Sequence, residues 1–412
     1  MAVDLDVLLP VLLEDLRQRF GLVLLRPVTF PLAVDADVDA LVDPTRRDDL
    51  LRGLLAWAAD HGLSVTCDRT HGPKLGITIH DGGRDRDYAL EIWSHIEVKD
   101  PAGRGARAIP WERLAPHRER PDLLPLLYLG HLATKGKDPA HPSVRARLEH
   151  WQDVPGPGEQ MAALLAGTTT VAEAAAWANA RLLDLGILPP ASTADTVAHR
   201  ARARARHARR ARVATGIVAV TGPDGAGKGT VIGHLRATLS RRSSEVRFKN
   251  LFRHHPGYKV LVARHGRAPG EEKNQWDERH ARSLFALARH GWPLLRLRAA
   301  LGRVLWCDRY WHDLLFEGLR LRQDTPRLTP DWRRNLARLP IPGWHLHLDA
   351  PDAVILSRKD ELPAAALPVY RAGMIDLMLA ADEPLFTVLN TGGSLEETLV
   401  AARRAAQVAG LR

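Results

Sequence analysis

The C-terminal half of the chain alternates short apolar runs with stretches of helical periodicity. Apolar runs that are typical of β-strands occur at 216–221, 244–252, 302–308, 343–349 and 385–390. Strands joined by helical crossovers form a parallel sheet with helices on both faces. From Gly216 onward we therefore predict an α/β fold with a five-stranded parallel sheet flanked by helices.

The N-terminal half has a less regular pattern. Strand-like runs occur at 20–30, 74–80 and 88–98, and helical patterns at 48–62, 123–136 and 158–186. This mixture predicts an α+β domain with a helical C-terminal part. We place that domain at residues 1–190, a basic linker at 191–213 and the α/β domain at 214–412.

The linker contains the run HRARARARHARRAR at residues 199–212. Its dense positive charge and lack of apolar periodicity are typical of a solvated connection. The same charge would suit an arm that contacts nucleic acid or phosphate, although the run lacks aromatic residues for base stacking. Both interpretations stay open, and the solvated linker is favoured.

Composition limits the classes of protein to consider. The chain has 412 residues and a formal net charge of +10, which suits an acidic partner or arginines that face phosphate. Two cysteines, Cys67 and Cys307, are too few for a disulfide framework or a thiolate zinc site. No apolar run is long enough to cross a membrane, and no basic leader precedes the first apolar run. We expect a cytoplasmic protein with no membrane partner.

The strongest chemical signal is the sequence GIVAVTGPDGAGKGT at residues 216–230. Glycines allow the backbone to turn so that several N–H groups converge on phosphate oxygens, and the next helix presents its positive N-terminal end. A lysine at this spacing can reach the transferring phosphates. The order of strand, turn and helix predicts a site for ATP. The residues expected to bind it are Gly222, Gly225, Ala226, Gly227, Lys228, Gly229 and Thr230.

A second signal lies at the end of a predicted buried strand, in GRVLWCDRYWHDLL (302–315). Ligands bind at the carboxyl ends of strands in open α/β sheets. There Asp308 can hold hydrated Mg²⁺, and Arg309 can clamp a phosphate with two hydrogen bonds. Thr230 is an alternative metal ligand, because Gly229 occupies the place after Lys228 where the usual motif has a hydroxyl residue.

The motifs GPDGAGKGT and CDRY together resemble the thymidylate kinase family, which has a Gly-x-Asp-Gly-Ala-Gly-Lys loop and an Asp-Arg-Tyr strand end. Residues 346–361 are similar to the fourth strand of that family and the helix leading to its lid. Residues 389–405 resemble its last strand and C-terminal helix. The resemblance covers about residues 214–412 and implies an ATP- and Mg²⁺-dependent phosphotransferase whose acceptor is a nucleotide, a nucleoside or a similar small molecule.

The resemblance also implies individual roles. The catalytic residues would be Lys228, Asp308, Arg309 and Arg358, with Arg358 as the basic residue of the lid. The acceptor would contact Asp224, Arg253 and Arg309. Thymidylate kinases often pair, which suggests a homodimer by analogy alone. The long arginine-rich segment after Tyr310 and the large first domain depart from the family, so the acceptor itself is not predicted.

The first domain carries a separate acidic pattern. Asp37 and Asp39 alternate on a strand-like run, so both carboxylates can point to one side, and Glu91 lies on a later predicted strand. Three carboxylates can bind two metal ions. The pattern resembles the nucleotidyltransferase fold, although the upstream Gly-Ser loop is missing and Glu91 replaces the usual third aspartate. A degenerate relative that positions a substrate, an active transferase and a solvent-facing acidic turn all stay open.

One further pair of side chains is a candidate for metal binding. His345 and His347 alternate on the predicted strand 343–349 and can share a face. The sequence offers no third ligand nearby, so we predict no metal site there.

A small-molecule kinase is the leading functional hypothesis. One alternative is a P-loop ATPase or regulatory module associated with nucleic acid through residues 199–212. Another is a bifunctional nucleotidyltransferase–kinase that uses both halves of the chain.

Overall fold

The computed structural model describes most of the chain. The described residues are 4–25, 28, 30–32, 37–70, 72–83, 86–99, 106–190, 201, 204, 213–239, 242–271, 276–277, 280–288, 297, 301, 304–313, 341–359 and 363–411. Its strands are β1 (Val23–Leu24), β2 (Asp37–Leu41), β3 (Ser64–Asp68), β4 (Lys74–Asp81), β5 (Arg86–Trp93), β6 (His95–Lys99), β7 (Ala106–Pro110), β8 (Val213–Thr221), β9 (Ser243–Arg247), β10 (Val304–Asp308), β11 (Ile341–Asp349) and β12 (Leu385–Asn390).

The α-helices follow the same chain order. They are α1 (Leu5–Phe20), α2 (Arg47–Asp60), α3 (Trp111–Leu114), α4 (Leu123–Lys135), α5 (Pro142–Trp151), α6 (Pro157–Leu165), α7 (Val171–Asp184), α8 (Lys228–Thr238), α9 (Phe248–Arg253), α10 (Pro256–His265), α11 (Ala281–Ala288), α12 (Asp352–Arg358), α13 (Ala366–Ala380) and α14 (Leu395–Val408). Short 3₁₀ turns span Pro44–Arg46 and Ala115–His117.

The chain divides into two compact units. The larger unit contains Met1–Leu5, Leu51–Ala89 and Ala208–Arg412, and the smaller unit contains Asp6–Leu50 and Leu90–His207. This division differs from the predicted boundaries, because residues 51–89 belong with the C-terminal half instead of the first domain.

A sheet of parallel strands forms the centre of the larger unit. Strands β9, β10, β8, β11 and β12 lie side by side in that order, each parallel to its neighbour. The register places Asp308 beside Val220, His347 beside Thr221, and Asp349 beside Asn390. The carboxyl ends of these strands therefore share one edge, where open α/β sheets usually bind their ligands.

Alternation along the central strand β8 gives this sheet two apolar faces. Ile217 and Ala219 pack into one core with side chains from α9, α10, α11 and α13. Val218 and Val220 point the other way, into a core with α8 and α14. Burial on both faces explains why the strand is continuously apolar in sequence.

Two strands from the first half of the chain enlarge the sheet. Strand β3 pairs antiparallel with β12, and β4 pairs antiparallel with β3. Thr66 of β3 lies opposite Thr387 of β12, and their hydroxyl oxygens are 2.8 Å apart. The sheet of the larger unit is therefore mixed, which the sequence analysis did not predict.

Helix α4 forms the centre of the smaller unit. It is apolar on nearly all sides and packs against α7 and β6. Gly130 permits this close approach, since a Cβ atom there would lie 2.9 Å from Cγ1 of Val98 and 3.2 Å from Oδ1 of Asn179. In the same unit β1 pairs antiparallel with β2, and β6 pairs antiparallel with β7.

Two of the predicted strands are wrong in part. Within 20–30, helix α1 continues to Phe20 and the described strand covers Val23–Leu24 alone. Within 244–252, the strand ends at Arg247 and α9 begins at Phe248. Phe248 and Phe252 are four residues apart and enter the same core, a helical spacing that the sequence analysis interpreted as part of a strand. The helices predicted at 48–62 and 123–136 are confirmed by α2 and α4.

The expectation about membranes can be compared with the helices directly. In the part of the chain that the structure describes, no helix combines the length and the apolar character that crossing a bilayer requires.

Candidate functional site

The turn between β8 and α8 adopts a backbone conformation that glycine makes accessible. Gly222, Gly225 and Gly227 have φ angles of 139°, 93° and 83°, a region that other residues rarely occupy. A Cβ atom at position 222 would also lie 2.4 Å from the carbonyl oxygen of Leu348 on β11. Helix α8 begins directly after Gly227, which provides no side-chain cap. Its first N–H groups are therefore left to solvent or to an anion.

Lys228 is buried at the start of α8 and folds back on the turn. Its Nζ donates hydrogen bonds to the carbonyl oxygens of Gly222 and Pro223 at 2.8 and 2.9 Å, and to Oδ1 of Asp224 at 3.2 Å. Burial lowers the pKa of Lys228, the positive charge of Arg309 adds to that shift, and Asp224 opposes it. The ammonium group is thus held inside the turn as a positive charge that a phosphate can approach.

Asp224 also binds Arg309, so the turn is connected to the end of β10. The Arg309 guanidinium donates to Asp224 at 2.5 Å and to Asp313 at 3.0 Å. The backbone of Arg309 has a φ of 64°, and its N–H donates to the carbonyl oxygen of Val220 at 2.8 Å. Non-glycine residues in this conformation occur mainly where the surrounding contacts require it, often at functional sites.

Asp308 lies at the carboxyl end of β10, in register with Val220 of β8 and with Arg247, the last residue of β9. Its carboxylate is partly exposed, and Oδ2 is 3.9 Å from Nε of Arg247. A partly hydrated oxygen ligand at a strand end suits Mg²⁺, which retains several of its waters in protein sites. Thr230 lies in the first turn of α8 with an exposed side chain, and its role as a metal ligand stays a prediction.

Arg358, at the end of α12, contacts the glycine turn. Its NH2 atom donates to the carbonyl oxygen of Thr391 at 3.0 Å, and its NH1 atom lies 3.5 Å from the carbonyl oxygen of Gly225. Lys359 is close to the same glycine, since a Cβ atom at position 225 would lie 3.3 Å from its Cβ. The structure therefore brings the basic residue predicted for the lid to the turn.

Arg253 takes part in an ion pair that the sequence analysis missed. It is the last residue of α9, and its Nε donates to Asp277 at 2.8 Å. Asp277 is buried and also accepts a hydrogen bond from the Tyr258 hydroxyl at 2.8 Å. Burial and Asp277 together raise the pKa of Tyr258 to about 12. The predicted contact of Arg253 with an acceptor stays a prediction.

Three further polar residues at this edge were not predicted. Tyr370 of α13 donates a hydrogen bond to Asp313 at 2.9 Å, which helps to fix the partner of Arg309. Arg371 forms an ion pair with Asp349 at the end of β11. Burial raises the pKa of Asp349, and Arg371 opposes that shift. Asp349 ends the apolar run LHLD much as Asp308 ends LWCD, so the strand-end pattern could have identified it.

A cavity of about 390 Å³ opens beside this ion pair. Its walls combine apolar residues of α2 and β3 with the strand ends of β11 and β12. The lining residues are Leu55, Ala58, Ala59, Asp60, Leu63, Val65, Asp349, Ala350, Pro351, Asp352, Arg371, Val388 and Asn390. An apolar space with a few polar groups at the ligand-binding edge of a sheet is suited to an organic molecule.

In the smaller unit, the structure brings the predicted acidic residues together. Asp37 and Asp39 lie on β2 and Glu91 lies on β5. One carboxylate oxygen from each lies within 4.8 Å of the others, and all three side chains are partly buried. Three carboxylate oxygens this close together can bind a metal ion, and acidic groups with the same spacing are also common without one.

The basic run at 199–212 lies outside the described residues, apart from Ala201 and Arg204. Its predicted role as a linker or arm therefore stays a prediction.

Comparison with known proteins finds likenesses among solved structures. No protein-family model matches the chain, and no curated protein matches it. Among solved structures, the chain is similar to thymidylate kinase from Candida albicans, with 15% sequence identity and a TM-score of 0.38. The alignment covers 47% of this chain and 91% of that chain. We therefore interpret the site from its own residues and contacts.

Gly222 in the turn and Gly229 at the start of α8 should respond differently to alanine. Gly222→Ala introduces a Cβ that meets the Leu348 carbonyl and strains the backbone, so it should lower the free energy of unfolding by about 2–4 kcal/mol. At Gly229 a Cβ would meet nothing within 4 Å, so Gly229→Ala, the matched control, should be neutral or stabilise by up to about 1 kcal/mol. Urea unfolding of the three proteins measures both effects. Equal stability of the two variants would contradict the described turn.

Proposed function

We propose that this protein is a P-loop phosphotransferase that moves the γ-phosphoryl group of ATP to a nucleotide, a nucleoside or a nucleoside-like small molecule. The observation that carries the proposal is the arrangement of Lys228 in the glycine turn, with Arg309 linked to it through Asp224 and Arg358 at its rim. Positive charges from three separate elements converge on one small volume.

The turn would bind the donor phosphates. Backbone N–H groups at the start of α8 point along the helix axis, and the helix dipole favours an anion there. Lys228 is bound to carbonyl oxygens of the turn and to Asp224. A phosphate oxygen would give this ammonium a second negatively charged partner beside Asp224.

The transfer itself requires alignment and charge stabilisation more than covalent help from the protein. An acceptor oxygen would attack the γ-phosphorus while the bond to the β,γ-bridging oxygen breaks, and ADP would leave. Lys228, Arg309 and Arg358 would stabilise the negative charge that spreads over the transferring group. A Mg²⁺ ion held through Asp308 would supply further charge neutralisation.

Asp224 and Asp308 are the groups available to a hydroxyl acceptor. Either carboxylate could accept the proton that such an acceptor loses, whereas a phosphate acceptor needs no strong base. Asp224 is already shared between Lys228 and Arg309, so its negative charge is stabilised. Asp308 is partly exposed at the strand end, and its ion pair with Arg247, at 3.9 Å, is longer than those that Asp224 makes.

The three acids of the smaller unit support a second candidate function, nucleotidyl transfer. The specific observation is the approach of Asp37, Asp39 and Glu91 to within 4.8 Å of one another. Carboxylates so placed can hold the metal ions that activate an attacking hydroxyl and stabilise a leaving pyrophosphate. We propose this activity as an addition to phosphotransfer, since its residues lie in the other unit.

The phosphotransferase proposal predicts a lysine-dependent activity. Intact protein with Mg–ATP should consume ATP when one small acceptor from a panel of monophosphates, nucleosides and sugars is added. Lys228→Ala should lower that turnover by about 100-fold or more, because a charge aimed at the transition state is lost. Lys259→Ala removes an exposed lysine of α10 and should leave turnover unchanged.

The same screen includes single-stranded DNA and RNA. If nucleic acid alone stimulates ATP consumption, with a steep dependence on salt, the acceptor proposal is wrong and the nucleic-acid-associated ATPase is favoured. Turnover in the Lys228→Ala variant equal to that of the intact protein would also overturn the proposal.

The second candidate predicts separable activities. Asp37→Ala combined with Asp39→Ala should abolish nucleotidyl transfer to a hydroxyl acceptor, because carboxylate ligands for the metal ions are lost. The acceptor-stimulated turnover that depends on Lys228 should remain. Incorporation of label from α-labelled and γ-labelled ATP distinguishes the two reactions. If the double variant matches the intact protein in every assay, nucleotidyl transfer at this site is excluded.

A further inference from the structure

Two histidines and a glutamate converge in the interior of the larger unit. His312 follows β10, His345 lies on β11, and Glu383 lies just before β12. One ligand atom from each lies within 4.8 Å of the others, and all three side chains are fully buried. These residues, here called the His–His–Glu cluster, are separate from the groups assigned to phosphotransfer.

Polar atoms of the cluster lack hydrogen-bond partners. Within the part of the chain that the structure describes, three of these atoms have no hydrogen-bond partner: Nδ1 and Nε2 of His312 and Oε1 of Glu383. His312 Nε2 lies 2.8 Å from Glu383 Oε1, at ion-pair distance. A buried polar group without a partner costs about 1–3 kcal/mol. Nε2 of His312 and Oε1 of Glu383 therefore lie next to each other in a fully buried position.

His345 has its second ring nitrogen fixed by a neighbour. The Nε2 atom lies 2.7 Å from the Thr221 hydroxyl, which lies 2.9 Å from Nδ1 of His347. When a metal ion displaces the proton between His345 and Glu383, Nε2 of His345 can donate to Thr221 and Thr221 to His347, which leaves a lone pair on Nδ1 of His345. That atom is 2.6 Å from Oε2 of Glu383. Metal-bound histidines usually show this pattern, with the remote ring nitrogen bonded to a second residue.

Aromatic packing holds the rings in place. The ring of Trp311 stacks on His312 with centroids 3.5 Å apart and planes 24° from parallel. The centroids of His312 and His345 are 4.3 Å apart. Because the rings and the carboxylate are fixed by packing, their ligand atoms are preorganised.

We propose that His312, His345 and Glu383 form a closed structural site for a divalent first-row transition metal, with Zn²⁺ as the preferred ion. Zn²⁺ binds imidazole nitrogens and carboxylate oxygens at metal–ligand distances of about 2.0–2.2 Å. Imidazole ligands also favour Zn²⁺ over Mg²⁺ and Ca²⁺, which prefer oxygen ligands. The two carboxylate oxygens can supply the third and fourth donor atoms. The ion would replace the direct contacts that the two histidines make with Glu383.

Such an ion would join three strands of the sheet. His345 lies on β11, whereas His312 follows the end of β10 and Glu383 precedes the start of β12. Thr221, which contacts His345, is the last residue of β8 before the glycine turn. Binding should therefore stabilise the larger unit as a whole. This inference does not depend on the proposed phosphotransfer.

Metal content and metal-dependent stability test the proposal. Full-length protein without a histidine tag, purified with no added metal, should contain about one equivalent of a first-row metal by mass spectrometry. After removal with a chelator, Zn²⁺ should raise the Tm by several degrees. Co²⁺ should give the visible absorption of a four-coordinate site with no thiolate charge-transfer band, which excludes Cys67 and Cys307 as ligands.

Variants identify the ligands. Glu383→Gln keeps the shape of the side chain and should weaken Zn²⁺ binding about 100-fold or more. His80→Gln is the matched control, because His80 is also buried beside a carboxylate and a threonine, Asp87 and Thr66. It should bind Zn²⁺ like the intact protein.

Two results would overturn the site. One is a metal-free preparation in which neither Zn²⁺ nor Co²⁺ changes the Tm or the spectrum. The other is equal Zn²⁺ affinity in Glu383→Gln and the intact protein. If Glu383→Gln fails to fold, the Co²⁺ spectrum and the Tm shift of the intact protein decide the question.

Discussion

The ammonium group of Lys228 is the charge around which the carboxyl edge of the central sheet is arranged. Taking a cation out of water costs several kcal/mol unless polar groups replace the lost hydration. Two backbone carbonyls and Asp224 do so. Asp224 in turn binds Arg309, which binds Asp313, so the positive and negative charges alternate from the turn to the end of β10. A phosphate entering here would meet a network already held in place.

The sheet positions this network. Parallel pairing of β8 with β10 and β11 sets the glycine turn beside Asp308 and Asp349, and the contact between Gly222 and Leu348 permits no side chain between them. On the far side, β3 and β4 extend the sheet beyond β12. Residues from α2 and β3 thereby line the cavity next to Asp349. The first half of the chain thus helps to build the carboxyl edge of the central sheet.

Local sequence was sufficient for the parts of the site that depend on local geometry. The spacing of glycines and lysine in GPDGAGKGT predicted the turn and the start of α8, and the run VLWCD predicted a buried strand ending at Asp308. Contacts between distant segments could not be predicted in this way. Arg309 and Tyr370 meet at Asp313 because α13 packs on the sheet. His345 was noted without a third ligand because Glu383 lies 38 residues further along the chain.

Hydrogen–deuterium exchange of the backbone amides tests the central claim most directly, because it reports on the turn whatever the acceptor is. Full-length protein would be compared with and without saturating Mg–ATP under conditions where no acceptor is present. The account predicts slower exchange at the backbone amides of residues 224–230, several of which would bind phosphate oxygens. Unchanged exchange across that segment, with ATP either not bound or protecting a different part of the chain, would contradict it.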